Sequence, residues 1–190
     1  MGFKGIELLS EGKTPIEVKE KLLEGRSDLG KRQLAIVDYF GASAAFTGSD
    51  TINVKSEIVR KDFVVTANMM VDTTTAEMMV ENFESTAGKG LDLSERLLRA
   101  LEAGDKTPGD KRGRQSASLQ VFFKDDFPFK SIRVDVHDTP VQELRRIYEV
   151  CKIQIFPITD TFSKFSEIKE PAIKELGERP SILTKSVNDR

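Results

Sequence analysis

Apolar and polar positions alternate along the chain in blocks whose period changes from helical to extended and back. Residues 2–11, GFKGIELLSE, read as a short helix that stops near Gly12. Thr14, Pro15 and Glu17 then supply an N-cap, a first-turn proline and a capping-box acid, and Val18, Leu22 and Leu23 form the buried stripe of a second helix ending at Gly25. LAIV at 34–37 has no helical period. It is followed by Asp38, Tyr39, Phe40 and Gly41 and then by SAAF at 43–46, a pattern that predicts two strands joined by a tight turn. Alanines at these positions suit a sheet face packed closely against another layer. Residues 49–61 read as polar and irregular, and FVVTAN at 63–68 as a third strand.

Asp72 is placed to cap the next helix, in which Ala76, Met79, Val80 and Phe83 recur at spacings of three and four. Met69, Met70, Met78 and Met79 read as core filler following that face. After the TAGKG break, Asp92 and Glu95 make a capping pair, and Leu93, Leu97, Leu98 and Leu101 line a helix closed by Gly104. ASLQVFF and SIRVDV read as strands, the second with Ile132, Val134 and Val136 alternating, joined through KDDFPFK. Thr139, Pro140 and Gln142 begin the last helix, with Val141, Leu144, Ile147, Tyr148 and Cys151 inward. The pattern dissolves near Pro157. The reading is one domain over residues 1–156 and a partly extended C-terminal extension over 157–190, with Phe162 and Phe165 tethering its first part. Grouped helices and grouped strands point to an α+β fold with antiparallel sheets.

Composition narrows the chemistry. A chain of 190 residues, 38% of them hydrophobic, closes a core without disulfides or metal. With 29 basic and 31 acidic residues the net charge of -2 provides no field toward nucleic acid or a membrane. No run approaches the ~20 apolar residues of a membrane span, and aromatic residues do not interleave with basic ones to stack bases. A cytoplasmic protein with no nucleic-acid or membrane partner is expected. One cysteine, Cys151, excludes an internal disulfide framework, and one histidine, His137, excludes His-rich metal sites, so no metal or cofactor is expected. His137, in VDVHDTP, reads as a solvated or capping residue, and Cys151 as a buried thiol. There is no GxxxxGK[ST], and GKGLDLS lacks the preceding strand of a nucleotide loop.

What remains is PGDKRGRQSAS at 108–118. Arg112 and Arg114 are suited to bidentate recognition of carboxylate or phosphate, and Gly109 and Gly113 let the backbone approach a ligand or take positive φ. Asp110, Arg112, Arg114 and Gln115 form the candidate binding set. The other reading is a charged connector whose arginines pair with Asp105, Asp110 or helix C-termini. Local sequence leaves both open.

The segments GIELLSEGKTPIEV, RQLAIVD, AAFTG, ANMM, ERLLRALEAG, GDKRGRQSAS and RVDVHDTPVQELRR, in this order and spacing, resemble the uncharacterised Ntn-hydrolase-like family known as domain of unknown function 1028. The resemblance spans roughly residues 2–150. The chain departs from the family pattern at Lys111, where the family has a second arginine, at Ser118, where it has alanine, and at Ala67, where it has glycine. The resemblance implies a four-layer αββα sandwich. In related N-terminal-nucleophile amidohydrolases a Thr, Ser or Cys heading the first strand attacks an amide, with its own α-amino group as base. On that template Asn68 is the candidate oxyanion stabiliser and Arg112 and Arg114 grip a substrate carboxylate. Family members begin with a strand block that carries the nucleophile, whereas here Met1 and Gly2 lead straight into the helix, so an N-terminally shortened sandwich is expected. Two functions follow: a non-catalytic module binding a small carboxylate- or phosphate-bearing ligand, or an amide-bond hydrolase whose nucleophile-bearing N-terminus lies outside this sequence. Sheet edges left unpaired would favour a homo-dimer or higher homo-oligomer.

Overall fold

The computed structural model describes residues 1–52, 54–123 and 127–157. A first compact unit spans Met1–Ile147 and a second begins at Tyr148. The extension expected beyond Pro157, with Phe162 and Phe165, lies outside the described residues.

Two helices open the chain, α1 (Gly2–Ser10) and α2 (Pro15–Leu23). The second is fixed at its start by a complete capping box: Thr14 Oγ1 accepts from the Glu17 N–H, and Glu17 Oε2 accepts from the Thr14 N–H at 2.8 Å. Their apolar faces meet in a cluster of Leu8, Val18, Leu22 and Ile36. Ile36 comes from β1 (Gln33–Val37), which pairs antiparallel with β2 (Ser43–Thr47). Asp38 shapes the turn between them, its Oδ1 accepting from the N–H groups of Phe40 and Ala42.

The segment read as irregular contains a strand. β3 (Ser56–Arg60) pairs over its whole length with β4 (Phe63–Ala67). The reading failed there because Glu57, Val59 and Arg60 are exposed, so β3 has no apolar face long enough to show the period of two. The two hairpins pack on each other, β2 against β3 and β4 and β1 against β4, and Ala44, Ala45 and Ala67 are buried, with Ala44 and Ala45 on opposite faces of β2. Close approach of this kind is what small side chains allow.

α3 (Thr74–Ser85) and α4 (Leu93–Asp105) form the second helix pair, and α3 lies against β3 and β4. Asp92 caps α4 as expected, its Oδ1 accepting from the Glu95 N–H, whereas the N-cap of α3 is Thr73 and Asp72, one residue earlier, accepts from the Thr74 N–H. Phe83 meets Phe63 in a tilted pair with ring centroids 4.8 Å apart, and the Arg96 guanidinium lies 4.1 Å from the Phe83 centroid, linking β4, α3 and α4. Three further details depart from the sequence reading. Leu93 is exposed rather than part of the stripe, Met78 is exposed rather than core, and α4 does not stop at Gly104. Gly104 is a helix-interior contact: a Cβ there would sit 2.9 Å from Met79 Cγ. Its role is to let α3 and α4 touch.

β5 (Ala117–Val121) and β6 (Lys130–Val134) form a third two-stranded antiparallel sheet, with β5 against α4. Ile132 and Val134 are buried as expected, but pairing ends at Val134 and Val136 is 89% exposed. The architecture is therefore α+β, with three two-stranded antiparallel sheets among the described residues. The next helix, α5 (Pro140–Gln154), buries Val141 and Leu144 in the first unit. From Tyr148 onward, Tyr148 and Cys151 are buried, and the Tyr148 and Phe156 rings meet edge to face at 5.7 Å. Among the described residues no helix is long and apolar enough to cross a membrane.

Glu95, buried at the start of α4, accepts from Arg99 Nε at 2.6 Å and from Arg145 Nη1 at 2.8 Å, while Arg145 also grips Glu102. Burial alone would push the Glu95 carboxyl up, but the hydrogen bonds from Arg145 and Arg99 hold it below its ordinary 4.5. A lowered folded value means the stabilisation is fully present above pH 4.5 and is lost as pH falls through the folded value. In urea unfolding, the stability gap between wild type and Glu95→Gln is thus expected to be wide at neutral pH and to narrow as the acid limb is entered; a gap independent of pH contradicts this. Gly104→Val should destabilise the protein by about 1–3 kcal/mol through overpacking against Met79. Adding Met79→Ala should recover part of that loss, whereas simple additivity would show that the two do not meet.

Candidate functional site

The loop after α4 is built by short-range bonds. Thr107 Oγ1 donates to the Gly104 carbonyl at 2.6 Å and so accepts from Thr75 Oγ1 at 2.7 Å, stapling the helix end to α3. Pro108 and Gly109 (φ +68°) then turn the chain. The next residues run beside the segment leaving β4: the Val71 N–H donates to the Gly109 carbonyl at 2.8 Å, and the Lys111 N–H to the Met69 carbonyl at 2.9 Å. Met69 itself takes φ +60°, a conformation costly for a residue with a Cβ. This strained residue lies beside the loop rather than in a free turn.

Asp110 sits in the two-strand bridge with Met70 and folds Arg112 back upon itself. Its Oδ1 accepts from the Arg112 N–H at 2.7 Å and from Arg112 Nε at 3.0 Å, and its Oδ2 from Nη2 at 2.7 Å. The Arg112 side-chain bond holds the Asp110 carboxyl below its ordinary value, and Asp110 in turn raises the guanidinium. Arg114 is anchored separately. Its Nε donates to Asp105 Oδ1 at 2.6 Å and its Nη2 to the Asp105 carbonyl, while the other Asp105 oxygen accepts from Gln142 Nε2 at 2.7 Å. Gly113, at φ +84°, separates the two arginines and closes the turn through its N–H to the Asp110 carbonyl.

A cleft of about 380 Å³ opens at this loop. Asp110, Arg112, Arg114 and Gln115 all line it. The Gln115 carbonyl accepts from the His137 N–H at 3.1 Å, and its side chain makes no hydrogen bond among the described residues. Asn68 is placed differently. Its Nδ2 donates to Gln33 Oε1 at 2.7 Å, and Gln33 reaches on to Thr47 and the Ala67 carbonyl, so Asn68 braces β1 against β4 while its neighbours Ala67 and Met70 line the cleft. His137 is exposed, with Nδ1 accepting from the Thr139 N–H at 3.0 Å, the capping role expected of it. Cleft residues that the sequence did not single out for this site are Thr75, Met79, Leu101, Thr107 and Val141. Of these, Met79, Leu101 and Val141 were legible only as helix-face positions. Among the described residues no three His, Cys, Asp or Glu side chains group to hold a metal ion.

The family of unknown function DUF1028 matches residues 1–144. The chain belongs to the DUF1028 family. The match includes every residue that lines the cleft, the last being Val141. A DUF1028 protein of known crystal structure, SPO2555 from Silicibacter pomeroyi, is 28% identical, with a TM-score of 0.70 over 82% of this chain and 68% of that one. No curated protein matches this DUF1028 chain.

Asp105 anchors both the loop and the first turn of α5. Asp105→Ala is expected to speed amide hydrogen exchange at residues 110–116 well before global unfolding and to lower stability by about 1–2 kcal/mol. Unchanged exchange in that window would mean that the loop is held by its backbone bridge alone.

Proposed function

We propose that the cleft binds a small molecule through its carboxylate or phosphate group, with Arg112 and Arg114 as the recognising side chains. One observation carries the reading. Each aspartate engages the Nε and Nη2 side of its arginine, and no partner of either Nη1 occurs among the described residues. Each guanidinium is therefore held in place on one edge while its Nη1–Nη2 edge is left to pair with an anion. Both side chains are about half exposed, at 58% and 48%, so a ligand can reach them. Between Asp105 and Arg114 four basic side chains face two acidic ones, leaving a local positive balance in a chain whose overall charge is slightly negative.

The scaffold we propose is the four-layer, Ntn-hydrolase-like sandwich that the resemblance implies. Its support is the succession of contacts: α2 on the first hairpin with α1 packed on α2, that hairpin on the second, and the second under α3, with α4 packed on α3. Binding requires only groups seen in the cleft. Amide hydrolysis would need in addition the nucleophile that the Ntn template supplies, and the cleft hydroxyls of Thr75 and Thr107 are bonded to one another rather than to a base.

Isothermal titration with inorganic phosphate, acetate and glutamate tests the proposal. At least one anion should bind the wild type, more weakly as salt is raised, with Arg112→Ala and Arg114→Ala each costing about tenfold or more in affinity. No binding of any of the three, or equal binding by the double variant, overturns it.

A further inference from the structure

Resting on that reading of the cleft, we infer that its ligand is an aliphatic carboxylate, the head at the two guanidinium edges and the hydrocarbon chain along the apolar part of the lining. Ala67 and Val141 are each only 6% exposed, yet both line the cleft, alongside the half-buried Met70, Met79 and Leu101. The nearest hydroxyls on the helix side add little polarity, because Thr107 donates to Gly104 and accepts from Thr75. A bare phosphate would fill the charged end and leave this surface in water, whereas a chain of several methylenes would cover it. Two methionine side chains give the wall an adaptable shape, which fits a flexible chain better than a rigid ring. The volume of about 380 Å³ sets the scale as a short to medium chain.

Calorimetric titration of acetate, butanoate, hexanoate and octanoate, all below their micellar concentrations and alongside inorganic phosphate, separates this inference from the anion site beneath it. The wild type should bind each longer acid more tightly, by about two- to fourfold per methylene, at one ligand per chain, with hexanoate displaced by phosphate. Arg112→Ala with Arg114→Ala should abolish binding along the whole series. Leu101→Asn should flatten the gain per methylene; the wild-type series stands as the test even if that variant fails to fold. If phosphate and acetate bind through the arginines but affinity is flat with chain length, the chain inference is overturned and the anion site survives. Chain-length dependence that persists without the arginines overturns the inference from the other side. Absence of binding by every anion removes both.

Discussion

The site depends on one backbone contact, the pairing of residues 109–111 with the segment that leaves β4. Two amide bonds, Val71 to Gly109 and Lys111 to Met69, carry the loop from the end of α4 across to the end of the sheet. Without them the loop would be a solvated connector and its charges would average over many positions. With them, Asp110 occupies a fixed point on a sheet-like bridge, and the position of Arg112 follows from it. The left-handed conformation of Met69 is the local cost of that geometry, offset by the bonds its neighbours form.

Two aspartates then determine what the arginines can do. The guanidiniums themselves are about half exposed, so the chief consequence of these pairs for the arginines is orientation. Asp110 and Asp105 each engage one edge of a guanidinium, which lowers the conformational entropy a ligand must remove when it pairs with the other edge. The connector reading and the site reading of this loop are thus two aspects of one arrangement. Internal ion pairs do not cancel the arginines; they aim them.

Much of the fold was legible because its signals are local. The capping box at Thr14 and Glu17, the cap at Asp92, and the stripe from Ala76 to Phe83 each act within a turn or two of helix, and each appears as read. β3 was not legible, since Ser56–Arg60 has mostly exposed side chains and is a strand only because Phe63–Ala67 pairs with it. Gly104 was misread for a related reason: a glycine near a helix end signals a stop, and only tertiary contact with Met79 gives it an interior role. In the site, the charged Asp110, Arg112 and Arg114 and the polar Gln115 stood out because their chemistry is unusual for a turn. The apolar wall did not, because Met79, Leu101 and Val141 look like any inward helix position until α3, α4 and α5 converge on the loop. Asn68, assigned by resemblance alone, donates to Gln33 and is absent from the residues lining the cleft.

The central claim is that each arginine is held by its Nε side and free at its Nη1–Nη2 edge. Nitrogen-resolved NMR of the guanidinium groups during titration with inorganic phosphate tests it most directly. The account predicts that the Nη signals of Arg112 and Arg114 shift with added phosphate while their Nε signals, committed to Asp110 and Asp105, stay near their starting positions. Nε signals that move as far as the Nη signals, or two arginines indifferent to phosphate, would contradict it.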